Sequence, residues 1–226
     1  MTPEQWQIVF DALNSGFVQT LKLFFATLIG AIPLGLVIML GRRSSFRPVS
    51  LLVQALTWVI RGSPLMIQLL LIYYGPGLAF NWHPWPSGET GRFAAASVAF
   101  IINYAFYFSE IYRGGISSIP VGQEEAGLVL GMTRSQIFFK VKLLQMVKAI
   151  VPPMSNEIIT LVKDTSLSRI IALQEVIWAG QKFLKGSSGI RANILPLLCT
   201  AVYYLVFSGL LTLLLGRLEK RLDYFR

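Results

Sequence analysis

The segment ANILPLLCTAVYYLVFSGLLTLLLG, residues 192–216, runs for 25 residues without a charged side chain. About 20 apolar residues of helix cross the ~30 Å of hydrocarbon in a bilayer, so this segment reads as a membrane span. Cys199, the single cysteine, lies inside it, permits no internal disulfide and reads as packing. The rest of the 226 residues agree in character, with 54% hydrophobic and 14% charged against about 45–50% and ~25% in soluble chains. The formal charge of +9 would suggest nucleic acid in a soluble protein. Here the basic residues fall between apolar runs, so membrane orientation is the expected use and nucleic acid is not a partner.

Four further apolar regions precede this one. Leu23 to Leu40 is the first, with Pro33 expected to kink it. Pro48 to Trp82 is broken by Arg61 and Pro64; its 35 residues would reach about 50 Å as one helix, so one bent crossing with an interfacial end is expected. Phe93 to Tyr112 is the third, and Ala149 to Val162, continuing irregularly to about Leu184, is the fourth. The expected fold is an all-α polytopic membrane protein of about five crossings, one domain over residues 1–226.

Five crossings place the termini on opposite sides, and the basic residues choose between them. Arg42, Arg43 and Arg47 in the first loop, Arg113, Arg134, Lys140, Lys142 and Lys148 in the third, and Arg217, Lys220, Arg221 and Arg226 in the tail make twelve on one side. Arg92, Lys182, Lys185 and Arg191 make four on the other. An excess of Lys and Arg marks the cytoplasmic side, so the N-terminus is expected outside and the C-terminus in the cytoplasm. MTPEQWQIVFDALNSGF at the start carries Glu4 and Asp11 and lacks the pattern of a secretory signal. In the tail, Glu219 and Asp223 among the basic residues suggest local salt pairing.

Between the third and fourth crossings stands QEEAGLVLGMTRSQIFFKVKLLQMVKAIVPP, residues 123–153. Pro120 suits a first helical turn, Glu124 and Glu125 suit the positive end of a helix dipole, and Gly131 suits a left-handed stop. These signals predict a short helix from about Val121 to Leu130. Thr133 and Gln136 match a capping box, so a second helix begins at once, with Ile137, Val141 and Leu144 along one side. By the residues alone, a solvated loop containing helices is an equal reading.

This stretch resembles the EAA loop of the permease subunits of bacterial ABC importers. Glu125-Ala126-Gly127, Gly131 and Val141-Lys142-Leu143-Leu144 stand at its spacings, with Gly127 in place of the second Ala, Val141 in place of Ile and Leu144 in place of Pro. RGSPLMIQLLLIYYG (61–75), YFSEIYRGGISSIPVGQEEAG (107–127) and PPMSNEIITLVKDTSL (152–167) are similar to segments of the polar amino-acid branch of that family. The likeness covers about residues 15–222.

The resemblance implies a type I importer permease fold with a cytoplasmic coupling region at about residues 120–150, in which Glu124, Glu125, Ala126, Gly127 and Gly131 form the docking group. It also implies two ATPase subunits inside, a second permease subunit (a homodimer or a similar paralogue) and a soluble amino-acid-binding protein outside. The chain has no GxxxxGK[ST] phosphate loop, so ATP and Mg are expected on the separate ATPase, with no cofactor on this chain and no enzyme activity of its own.

Inside the membrane the polar residues are the informative ones. Asn103, Tyr107 and Glu110 fall at i, i+4 and i+7, and Glu157, Thr160 and Asp164 form a second stripe. Both stripes are expected to face a cavity, because intramembrane acids are costly unless paired or wet and mark pathways. The plainer readings are that Glu110 and Glu157 are solvated near the cytoplasmic ends and that Asp164 pairs with Lys163 or Arg61. Cooperation of Glu110 with Asp164 would favour a ligand carrying an ammonium or guanidinium group.

Arg61, Gly62, Ser63 and Pro64 should unwind the second crossing and leave the carbonyls of Ile60 or Arg61 open to a ligand ammonium, or Arg61 simply snorkels. Thr165 and Ser166 offer hydroxyls to a ligand carboxylate, or cap the segment beyond them. His83, between Trp82 and Trp85, reads as an interfacial anchor and not a metal ligand. No nucleophile, base or metal cluster has the spacing of a membrane enzyme. A self-contained ion-coupled carrier or channel is the alternative; it would leave residues 121–150 without a purpose.

Overall fold

The computed structural model describes residues 1–187 and 190–222, and the expected pairing of Asp223 therefore lies outside the described residues. Helix α1 runs from Pro3 to Arg42, opened by a capping box between Thr2 and Gln5 and unbroken at Pro33. Its 40 residues correspond to about 60 Å, twice the hydrocarbon thickness. The helix therefore extends well beyond the apolar run that announced it.

The second apolar region is two helices. α2 (Arg47–Gly62) ends at an extended Ser63–Pro64 link, and α3 (Leu65–Phe80) departs at 105°. Proline has no N–H and disfavours a helical residue before it, which explains a break between Gly62 and Leu65. α4 (Glu89–Ser117) comes next. α1, α4 and α9 (Leu195–Leu222) are each long and apolar enough to cross a membrane, and the α2/α3 pair qualifies together. α7 (Leu143–Asp164) has the length of a crossing, about 33 Å for 22 residues, but it is not among these apolar helices. Lys148, Glu157, Lys163 and Asp164 interrupt it.

α1 and α4 make the most extensive helix pair of the chain. Their approach is close at Gly35, where an added Cβ would lie 2.9 Å from the Ala105 carbonyl oxygen and 2.9 Å from the Phe108 Cβ. Only a glycine lets the backbones meet there, as small residues do throughout membrane helix interfaces. Leu23, Phe24, Ala31 and Met39 from α1 and Ala99, Phe100, Ala105 and Phe108 from α4 form the centre of the core, joined by Leu161 and Val162 of α7. A second cluster, Val9 and Leu13 with Val176, Ala179 and Phe183, seats the short α8 (Val176–Gln181) against the N-terminal part of α1. Between α7 and α8 the chain tightens into a 3₁₀ turn over Thr165–Ile171.

The region between α4 and α7 is compactly folded. α5 (Val121–Val129) stops at Gly131, whose φ is +74°. The Met132 N–H donates to the Gly127 carbonyl and the Gly131 N–H to the Leu128 carbonyl, the bond pair of a Schellman stop. Thr133 and Gln136 then cap α6 (Arg134–Ile137) reciprocally. The chain passes through a single π turn at Phe138–Lys142 into α7. That turn changes the register after Ile137: Ile137 is buried, while Leu144, expected on the same side, is exposed.

Candidate functional site: a polar cavity and a helical handle

A cavity of about 500 Å³ lies where the α2/α3 break, α4 and α7 meet. α4 contributes Asn103 and Tyr107, α7 contributes Glu157, Thr160 and Asp164, and the break contributes Arg61 and Ser63. These are seven of the ten residues that the sequence nominates for a pathway, brought to one place from three elements. The helical period explains the grouping, since residues three and four apart share a face.

The remaining three are placed elsewhere. Glu110 is not part of the lining; its carboxylate, 12% exposed, accepts from the Arg42 guanidinium at 2.7 Å and from two nitrogens of Arg113 at 2.9–3.2 Å, with Arg61 3.8 Å away. The expected cooperation of Glu110 with Asp164 is therefore corrected: three cations already surround Glu110, and a carboxylate in that setting is a structural anchor. Thr165 is buried and its hydroxyl donates back to the Val162 carbonyl at 2.7 Å, so it neither faces the cavity nor caps the 3₁₀ turn that follows, which has no side-chain cap. Ser166 lines a groove on the other side of α7, together with Lys163, Thr200 and Ser208.

One further expectation changes at the α2/α3 break. The Ile60 carbonyl is not open to a ligand, because the Gln68 amide donates to it at 2.7 Å and to the Ser63 hydroxyl at 2.9 Å. The Gln68 side-chain oxygen in turn accepts from Asn103 at 3.1 Å. A buried amide with its donors and acceptor all engaged fixes the break against α4 and satisfies backbone that the bend exposes. On α4, Tyr104 donates to Asp164 at 2.7 Å across the cavity wall. Sequence reading missed both Gln68 and Tyr104. Gln68 lies in an apolar run, where a lone amide was a usable signal; Tyr104 sits one residue off the stripe, and nothing in the chain marks it.

Asp164 and Glu157 have no ion-pair partner within 4.0 Å among the described residues, so the suggested pairing of Asp164 with Lys163 or Arg61 is not formed. The guanidinium of Arg61 lies over the Tyr107 ring at 5.1 Å and lines the cavity rather than leaving it.

At the other end of α7 lies the α5–α6 hairpin. Ile137 covers Gly127 so closely that a Cβ there would lie 2.7 Å from the Ile137 Cγ1. That contact accounts for glycine at a position where the family pattern has alanine. Glu124 pairs with Lys142, tying α5 to the π turn that leads into α7. The hydrogen bond and charge of Lys142 hold the Glu124 carboxyl below its ordinary value of 4.5. Glu125 and Ala126 are exposed, and so are Val121, Val129, Leu130 and Phe139, with Val129 87% accessible. A rigid hairpin thus presents an apolar patch flanked by acids.

Residues 31–224 match the family model described as the binding-protein-dependent transport system inner membrane component. The chain is 33% identical over 225 residues to the L-cystine transport system permease protein TcyB of Bacillus subtilis, covering 97% of this chain and 92% of that protein. It is 37% identical over 164 residues to the glutamine transport system permease protein GlnP of Escherichia coli K12, covering 73% and 71%. Its fold matches the crystal structure of an amino acid ABC transporter with histidines, with a TM-score of 0.86 at 31% identity over 98% of this chain and 99% of that one. A membrane fold with a polar cavity, matched along nearly its full length by permeases of solute importers, places this chain in the family of binding-protein-dependent transport system inner membrane components, as a multi-pass ABC importer permease.

Proposed function

We propose that this chain is the transmembrane subunit of an ATP-driven importer that carries polar or charged amino acids through the cavity between α4, α7 and the α2/α3 break. The observation that carries the reading is mechanical. The α5–α6 hairpin is internally braced by Ile137 on Gly127 and Glu124 on Lys142, and it continues without a loop into the helix that bears Glu157, Thr160 and Asp164. A push on the exposed patch of Val129 and Leu130 becomes a tilt of α7 instead of slack. The partner that pushes is a cytoplasmic ATPase pair, which binds ATP with Mg. Glu124, Glu125, Ala126, Gly127 and Gly131 form or brace the docking surface.

Counting α7 gives five crossings, with the N-terminus outside and the C-terminus in the cytoplasm, as the loop charges favour. The polar character of α7 favours a second permease subunit beside it. Asn156, Thr160 and Lys163 form an exposed polar stripe along it, and a lysine facing lipid at that depth costs ~2.5–3.5 kcal/mol. A second copy of this chain, or a close paralogue, covers that stripe and shares the aqueous path. A soluble amino-acid-binding protein delivers substrate from outside. The permease relatives favour this reading over a self-contained ion-coupled carrier.

The test is co-purification and then an ATPase assay. The tagged chain, expressed with the genes beside it, should recover a P-loop ATPase in stoichiometric amount, with hydrolysis stimulated by an amino acid and its binding protein. Val129→Asp with Leu130→Asp should abolish that recovery while the permease remains in the membrane. Amino-acid uptake by the chain without any ATPase would refute the proposal.

A further inference from the structure

Three guanidiniums surround Glu110, and they hold it unequally. Oε1 accepts from Arg42 at 2.7 Å and Arg113 Nε at 3.2 Å; Oε2 accepts from the Arg113 Nε and Nη2 at 3.1 and 2.9 Å. Two oxygens offer about four acceptor directions, and these two arginines occupy them with three N–H groups, the single Nε–H of Arg113 being shared between both oxygens. Arg61 is left at 3.8 Å, beyond hydrogen-bond length, with the Tyr107 ring beneath it. Its side chain is 42% exposed. It lines the cavity that also holds Glu157 and Asp164.

The cavity therefore combines one donor-rich, under-used cation with two carboxylates that have no ion-pair partner within 4.0 Å among the described residues. Such a charge pattern is dipolar, and the small molecule that complements it carries a carboxylate and an ammonium at once. A guanidinium fork fits a carboxylate with two parallel N–H···O bonds, which an ammonium on a flexible stem does not reproduce. We infer that Arg61 is the receptor for the α-carboxylate of the transported amino acid, resting over Tyr107 and beside Glu110 while the cavity is empty. Glu110 in this scheme is a positioning residue that keeps the guanidinium near the cavity without saturating it. The inference rests on the amino-acid reading above and adds the residue that separates amino acids from amines.

The experiment uses the permease–ATPase complex in nanodiscs without the binding protein, so that only the membrane cavity is probed. Binding of arginine, histidine, glutamine and cystine is measured by calorimetry, and for each amino acid that binds, its decarboxylated amine is measured too (agmatine, histamine, 4-aminobutanamide or cystamine). Arg61→Gln should weaken the amino acid about tenfold or more, the effect of losing ~1.4 kcal/mol of charge-assisted pairing, and leave the amine unchanged. Arg61→Lys, which keeps the charge and loses the fork, should fall between, and it serves as the deciding variant if Arg61→Gln does not assemble. Equal losses for amino acid and amine, or no loss for either, would overturn the assignment while leaving the importer reading in place. A wild-type complex that binds none of the four overturns the amino-acid reading itself, and this assignment with it.

Discussion

α4 and α7 each carry a stripe of polar residues to the same cavity, yet they are built in opposite ways. α4 is clamped: it meets α1 backbone to backbone at Gly35, it buries Phe100, Tyr104 and Phe108, and towards its C-terminal end Glu110 is gripped by arginines from α1 and from its own next turn. α7 begins in a π turn, contains Pro152 and Pro153, buries only Met146, Ser155, Leu161 and Val162 fully, and dissolves into a 3₁₀ turn. Prolines and π turns weaken the regular ladder of a helix. The contrast sets a closely packed wall, α4, against a less regular and less buried one, α7, which is the wall that the proposed function would have move with the α5–α6 hairpin as its lever. Both walls bring polar groups to the cavity, but the acids that line it, Glu157 and Asp164, stand on α7.

The comparison breaks most decisively at Gly35. Gly35→Leu should cost about 3 kcal/mol or more, because overpacking here meets backbone and not a side chain that can turn away. Gly209→Leu on α9, where an added Cβ meets nothing within 4 Å, should leave the melting temperature of the solubilised protein nearly unchanged. Equal effects at the two sites would remove the distinction. Next in size is Glu110→Ala, expected to destabilise by ~3 kcal/mol because it strands three guanidiniums at a partly buried site; a loss under about 1 kcal/mol would mark the cluster as a solvated surface pair.

A smaller effect sharpens the picture of α7. Tyr104→Phe removes the bond to Asp164 and should cost ~1 kcal/mol, while changing amino-acid binding to the complex more than its stability. Thr133→Ala removes a cap at the hairpin and should likewise cost ~1 kcal/mol, felt in amide exchange of α5 and α6 and not in α1 or α4. The smallest effect is the acid dependence of the hairpin. The Glu124 carboxyl is depressed by Lys142, so its contribution is complete above about pH 4.5 and is lost as the pH falls through the lowered folded value. Protection of α5 amides should fall over that range, and Lys142→Met should abolish the dependence.

Much of the handle is readable from the chain because its signals are local. Gly131, Thr133 and Gln136 act on backbone groups within a few residues, and the structure places the stop and the capping box there. The cavity is partly readable for the same reason: a stripe is a property of one helix. Ile137 shows the limit. Its side of the helix is expected to continue through Leu144, but five residues of π turn intervene and rotate α7 relative to α6.

The chain determined by itself the apolar character of α1, the α2/α3 pair, α4 and α9, the break at Ser63–Pro64, the stop and cap around Gly131 and Thr133, and which residues share a face within one unbroken helix, since each depends on hydrophobic transfer or on backbone geometry over a few positions. Only the tertiary structure decided that Glu110 turns to Arg42, 68 positions away, while Asp164 turns to Tyr104, 60 positions away. A carboxylate takes whichever donor the fold sets opposite it, and the free energy of that pairing depends on distance and burial, neither of which is written along one strand of sequence.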